Sequence, residues 1–361
     1  MNKGSLVYQD YLKLIEKGNI CSKNIINSQI QPSSIDLTLS NECYEIKASF
    51  LAPNCKIREK LDSIIKKKIN LNKGYIFKKN KTYLVRLNER LNLDNNIFGK
   101  CNPKSTTGRL DIFCRTILDF SNEYEKVPMN FKGEIFLEIT SRSFDIAIRC
   151  EDSLNQLRLI SKNHEYIVDK NLCNFHQKNP LVLNNGNKKI KADFSSGLKI
   201  SVDLNKKNRF SAYVAKKNTP VLIFNKVRSH KIHQFWKPIE TKKSFLLVEP
   251  GNFYILKSKE KIKIPINMAG EMIPYDTGIG DFRAHYAGFF DPGFGIPLGS
   301  YAVLEVKTNE VSFIIEDGQL IGRILYEKLN KKSKLVYGSN INSNYQNQDL
   351  ALSKHFDVSA I

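Results

Sequence analysis

The sequence predicts an all-β protein made of two tandem domains of one fold. Three observations carry this. First, the chain is written twice. Ser34-Ile35-Asp36-Leu37 returns as Ser201-Val202-Asp203-Leu204, and Tyr83-Leu84-Val85-Arg86 as Tyr254-Ile255-Leu256-Lys257. Glu89 returns as Glu260, Leu137-Glu138-Ile139 as Leu304-Glu305-Val306, and Glu151-Asp152 with Arg158 as Glu316-Asp317 with Arg323. The matches keep their order at offsets of 165 to 171 residues, far longer than a solenoid unit. Second, apolar residues alternate in short runs between Gly, Pro and Asn turns, the pattern of half-buried strands in a barrel or sandwich. Third, 361 residues suit two domains of ordinary size.

The elements follow in order. Tyr8 to Lys17 spaces Tyr11, Leu12, Leu14 and Ile15 as a helix does, and Gly18 stops it. After Pro32 the period changes to two: Ile35, Leu37, Leu39; then Tyr83, Val85, Leu87; then Ile135, Leu137, Ile139. The second half repeats these strands around Ile200, Val202, Leu204; Phe253, Ile255; and Ala302, Leu304, Val306. A short helix is expected over Asp62 to Lys68. Ser161 to Lys191 is polar and weakly patterned. The expected layout is a first domain over 1–165, a linker and lead-in over 166–196, and a second domain over 197–361. The tail beyond Tyr337 is rich in Ser, Asn and Gln, the composition of a disordered terminus.

Bulk properties narrow the function. The net charge is +20, from 56 Lys and Arg against 36 Asp and Glu. Such charge suits phosphate-bearing partners, but the lysines are spread through a chain rich in Asn and Ile, so compositional drift explains them as well. Aromatics do not interleave with a basic stripe, and nucleic acid is not expected as a partner. No apolar run approaches the ~20 residues of a membrane span, and the N-terminus lacks a signal-peptide core. The seven cysteines are widely spaced without a Cys-x-x-Cys pair, which speaks against a disulfide framework or zinc site and for a reducing cytoplasm.

Three segments carry chemistry. Pro103-Lys104-Ser105-Thr106-Thr107-Gly108-Arg109 gathers two cations and three hydroxyls around a glycine. Such a turn can cradle phosphate oxygens, although a polar surface turn has the same composition and the Walker spacing is absent. His285 to Gly295 is Gly-rich and aromatic around Asp291-Pro292-Gly293. It reads equally as a ligand-holding turn beside Phe294 or as a structural turn. The third segment is the repeated Leu-Glu. Glu138 and Glu305 each interrupt an apolar strand at the equivalent place, and partial burial would raise such a carboxyl toward neutrality and suit it to proton transfer.

Together these segments resemble the dCTP deaminase branch of the trimeric dUTPase-like (β-clip) family, in its long two-domain bacterial form. Gln31 to Leu37 is similar to the family's opening strand. Ser105-Thr106-Thr107-Gly108-Arg109 resembles its Ser-x-x-x-Arg motif, Ala287 to Phe294 its Asp-Pro-Gly-aromatic motif, and Leu304-Glu305 its catalytic strand. Gly318 to Gly322 resembles a late strand, and Tyr345 to Gln348 the tail that closes over the nucleotide. The resemblance implies two β-clip barrels with few short helices, and hydrolytic deamination of dCTP to dUTP and ammonia. Four extra residues, Ile296 to Gly299, stand between the turn and Glu305. Each half keeps only one motif, which implies a composite site.

The resemblance assigns roles by position. Glu305, with Glu138 as the lesser candidate, is the acid/base, and Ser105 and Arg109 orient water, carboxylate or phosphates. Lys104, Thr106 and Thr107 grip a triphosphate that arrives with Mg²⁺. Ala287 holds water and base, Asp291 meets the sugar, Phe294 flanks the ligand, and Tyr345 and Gln348 close the site. No catalytic zinc is expected, since His-x-Glu with Pro-Cys-x-x-Cys is absent. A homo-oligomer with shared sites and a feedback nucleotide are implied partners. The alternatives are a dUTP pyrophosphatase, a bifunctional dCTP-to-dUMP enzyme, or a non-enzymatic nucleotide- or nucleic-acid-binding protein.

Overall fold

The computed structural model describes residues 3–240, 244–274, 282–284, 288–308, 310–339 and 345–358, with 274 and 282–284 in backbone only. The alternating stretches are strands. In the first half one sheet runs in the order Ile65–Asn70, Leu39–Ile46, Thr82–Asn92, Lys132–Ser141, Ile112–Ile117. A second runs Ile35–Leu37, Asn155–Ser161, Ile97–Pro103, Lys126–Val127. The second half repeats both. One sheet is Trp236–Ile239, Ala212–Ala215, Tyr254–Ile262, Ser300–Thr308, Phe282–Ala284. The other sets Leu198–Ser201 beside Leu320–Lys328, followed by Met268–Pro274 and Phe289–Phe290.

The Leu-Glu strands occupy the same place in their sheets. Glu138 lies opposite Leu84, and Glu305 opposite Ile255. Leu137 faces Val85 as Leu304 faces Leu256. The Ser34 to Ser201 match needs correction. Ile35 opposes Leu157, which opposes Cys101, while Leu198 opposes Ile324, which opposes Met272. Thr38 bonds Glu89 through its N–H and hydroxyl as Ser201 bonds Glu260. The counterpart of Ile35 is therefore Leu198, not Val202. A four-residue slip keeps every side chain on its face, which is why the sequence pattern did not show it.

Helices are few. Tyr8–Glu16 buries Tyr11 and Leu14. The helix expected over Asp62 to Lys68 instead spans Ile57–Ile64, with Ile57 and Leu61 buried one turn apart. Lys66, Lys67 and Lys68 belong to the following edge strand, where Lys67 faces Glu45; an edge tolerates such charge. The expected linker is also structured. It holds the strand Tyr166–Ile167, the helix Asp169–Lys178 and the strand Val182–Leu183. Leu172, Leu181 and Val182 anchor it in the second core.

The first core continues across the halves. Tyr213, Leu222, Phe224, Trp236, Phe253 and Phe356 pack into one cluster with Phe144, Ile139 and Leu137. The Trp236 ring centroid lies 5.5 Å from that of Phe144 and 6.0 Å from those of Phe253 and Phe356. An interface this apolar holds its partners in one orientation. Among the described residues no helix is long and apolar enough to cross a membrane.

Candidate active site

A cavity of about 380 Å³ opens between the two halves and the tail, within the size range of ligand pockets. The first half contributes Asp36, Lys104, Ser105, Thr106 and Arg109. The second contributes Gly288, Asp291, Phe294 and Glu305, and the tail Tyr345, Gln348 and Lys354. The two motifs that sequence separates by some 180 residues are neighbours here. A Cβ added to Gly288 would lie 3.8 Å from Ser105 Oγ.

The Ser105 end is built on a single helical turn, Ser105–Gly108, entered from the extended Lys104. Thr107 and Gly108 N–H donate to Lys104 O at 2.8 and 3.0 Å. Thr107 closes the turn from beneath, its hydroxyl donating to Leu154 O at 2.8 Å. Thr107 is fully buried and does not reach the cavity, so its expected grip on phosphate is corrected to a structural role. Lys104 forms an ion pair with Asp36. Lys354 stands at the same end, and burial, then Lys104, lowers its pKa. Two cations facing one carboxylate leave a net positive wall.

Arg109 is nearly buried. Its guanidinium lies 3.8 Å from the Tyr345 ring centroid, and Nη1 donates to Ala351 O at 3.0 Å. Glu305 faces the same space from Ser300–Thr308. Burial pushes its carboxyl up to about 8, against the pull of Arg109. A carboxyl in that range exchanges protons readily near neutral pH.

The Asp291 turn is fixed by contacts that allow only glycine at its centre. Gly293 has φ +97°, and a Cβ there would meet Val336 Cγ1 at 2.4 Å. Phe294 N–H donates to Asp291 O at 3.1 Å. The Phe294 ring packs against Phe290 and Tyr337 at 5.0 and 5.7 Å. Asp291 itself accepts from Ser33 Oγ at 2.7 Å. Ala287 lies outside the described residues.

The tail is docked. Thr106 Oγ1 and Tyr345 OH are 3.1 Å apart, and Ser353 Oγ donates to Thr106 O at 2.9 Å. Gln348 Nε2 donates to Tyr301 O at 2.8 Å, while its buried Oε1 has no partner among the described residues. Asp349 pairs with Lys257 at 2.5 Å. His355 Nε2 donates to Phe224 O at 2.6 Å, and Phe356 enters the shared core. Composition predicted a disordered end; the correction comes from these buried anchors, too sparse to show as periodicity.

Glu138 is placed otherwise. It is buried, outside the cavity, and paired with Arg115 at 2.7 Å. Arg115 also lies 3.7 Å from the Tyr124 ring centroid. The first half fills its own equivalent of the pocket. Cys101 N–H donates to Glu125 O as Met272 N–H donates to Gly288 O. Where Gly288 leaves space, Glu125 turns its carboxyl inward and accepts from Thr116 N–H at 2.9 Å. Burial raises that carboxyl to about 8. Sequence reasoning missed Asp36 and Lys354 as cavity residues. Asp36 was visible only as part of a repeat, and Lys354 as one lysine in a polar tail.

The doubled β-fold joins a cationic hydroxyl turn to a buried carboxyl in one cavity, the arrangement that the resemblance to the dUTPase-like class implied. Comparison with known proteins is more specific. Residues 2–163 match the model of the 2′-deoxycytidine 5′-triphosphate deaminase N-terminal domain, and residues 168–356 that of its C-terminal domain. The chain belongs to the dCTP deaminase family. The crystal structure of 2′-deoxycytidine 5′-triphosphate deaminase from Agrobacterium tumefaciens is similar at 35% identity and a TM-score of 0.86, covering 92% of this chain and 100% of that one. No curated protein matches.

Proposed function

We propose that this protein removes the 4-amino group of dCTP, giving dUTP and ammonia, with Glu305 as acid/base. The observation that carries the reading is Glu305: a carboxyl raised to about 8 by burial, in one cavity with Ser105, Arg109 and Asp291. The Glu305 carboxylate takes a proton from water as the water oxygen bonds to C4 of cytosine. Glu305 passes that proton to the ring nitrogen N3, then takes the proton of the new 4-hydroxyl and delivers it to the amino group as the C4 carbonyl forms. The C4–N bond breaks and ammonia leaves. Arg109 holds Glu305 against full neutralisation, and Ser105 orients the water. Ala287 is assigned to base and water, Asp291 to the sugar, and Phe294 to the ring face.

Lys104 and Lys354 receive the triphosphate, which brings its own Mg²⁺ as part of the substrate. Tyr345 and Gln348 cover it and exclude water. A homo-oligomer, a feedback nucleotide and a cytoplasmic setting complete the proposal; the free state of all seven cysteines supports the last.

Incubation of the full chain with Mg²⁺ and dCTP tests the reading. Ammonia and dUTP in equal amounts are expected. Pyrophosphate with dCMP, and no ammonia, would replace it with pyrophosphatase chemistry; ammonia with pyrophosphate and dUMP would make it the bifunctional enzyme.

A further inference from the structure

Arg158 belongs to the first half, on Asn155–Ser161, yet most of its bonds go to the second. It is completely buried, and its five N–H groups meet five acceptors. Nη1 donates to Gly270 O at 2.9 Å and Glu327 Oε1 at 3.1 Å. Nη2 donates to Phe290 O at 3.2 Å and Ser33 Oγ at 3.1 Å. Nε donates to Ser33 O at 3.3 Å. Ser33 is also fully buried. Its hydroxyl oxygen accepts from Arg158, so its single proton is free to point onward. It is given to Asp291 Oδ1 at 2.7 Å. The polarity of the chain is thereby fixed, from guanidinium to hydroxyl to carboxylate.

Asp291 lines the cavity. With Oδ1 engaged by Ser33, Oδ2 is the oxygen left for a ligand. On a 2′-deoxynucleotide the sugar offers one hydroxyl donor, at C3′. We propose that Ser33 and Arg158 are specificity-determining positioning residues: a relay from the first half that keeps the Asp291 carboxylate oriented as acceptor for the 3′-hydroxyl of the deoxyribose. The proposal rests on the reading of Asp291 as the sugar contact. It gives the first half a task on the sugar as well as on the phosphates. Neither residue touches the substrate, and a lysine at 158, with three donors in place of a planar five, cannot reproduce the relay.

The test compares dCTP with its 2′,3′-dideoxy analogue, which lacks the hydroxyl. Ammonia release gives kcat/KM for both, using the full chain and its Ser33→Ala and Asp291→Asn variants; inhibition constants against dCTP serve if the analogue turns over too slowly. The unaltered protein is expected to prefer dCTP by about 10- to 100-fold, the worth of one hydrogen bond to a charged group. Ser33→Ala should lower kcat/KM for dCTP about tenfold or more, mainly through KM, and leave the analogue within about twofold. Asp291→Asn should abolish the preference, with Ser33→Ala adding nothing to it. Equal losses on both substrates, or no loss on either, overturn the relay. Absence of ammonia release from dCTP by the unaltered protein overturns the deaminase reading and the relay with it. If Ser33→Ala does not fold, Ser33→Cys keeps the volume with a weaker donor. It must show the same selective loss, in smaller degree, for the proposal to stand.

Discussion

Glu305 is a carboxyl held where ionisation is costly, and that cost is measurable in two ways. As a base it must be ionised, so kcat/KM for dCTP should climb with pH toward about 8. Glu305→Gln keeps the shape and removes the base; turnover should fall about 10²- to 10⁴-fold with dCTP binding retained. The second measure is stability. The folded protein binds this proton more tightly than the unfolded chain, whose carboxyl titrates near 4.5. Glu305 therefore destabilises the fold progressively as pH rises from there to about 8. Thermal unfolding should show Glu305→Gln close to the unaltered protein below pH 4.5 and more stable by a few kcal/mol, about, above pH 8. A constant difference across that range would mean the carboxyl is not the group that titrates. Lys354 acts at the other end of the cavity. Lys354→Met should raise KM for dCTP about tenfold, with kcat little changed, if its contact is made equally in ground and transition states.

The same strand does opposite work in the two halves. Lys132–Ser141 and Ser300–Thr308 present a glutamate in one register, but the neighbours decide its fate. Arg115 neutralises Glu138, and Glu125 occupies the space that Gly288 leaves open. Glu138→Gln should consequently leave deamination within about threefold while lowering stability, since it leaves the half-buried Arg115 without its counter-charge. A larger activity loss than from Glu305→Gln would move the chemistry to the first half. These elements also show what sequence could disclose. Period-two alternation announced the strands around Ile35, Val85 and Leu137, because burial of one face dictates it. The segments at Ser105 and Asp291 stood out by residue type, but surface or structural turns have the same composition, and it was the family resemblance that assigned them to one site. The pairing of Lys104 with Asp36, the plug at Glu125 and the relay through Ser33 were not readable. Each depends on contacts between strands distant in sequence. The helix over Asp169–Lys178 was hidden by its polar composition, because only Leu172 and His176 are buried there.

At the scale of the molecule, the tail is a strap anchored beyond the cavity it covers. Phe356 packs with Phe235 and Trp236 in the core that both halves share. Phe356→Ala should cost about 3 to 5 kcal/mol. It should also raise KM for dCTP, because Tyr345 and Lys354 lose their tether; unchanged KM in the folded variant would separate the anchor from the site. The shared core has another consequence. Arg109 and Glu305 reach one cavity within a single polypeptide, so their encounter is intramolecular and its effective concentration is set by covalent linkage and packing. Specific activity should then be indifferent to dilution into the nanomolar range, whatever assembly the chain forms at higher concentration. A protein that divides its cavity between separate subunits would lose activity on the same dilution as it dissociated.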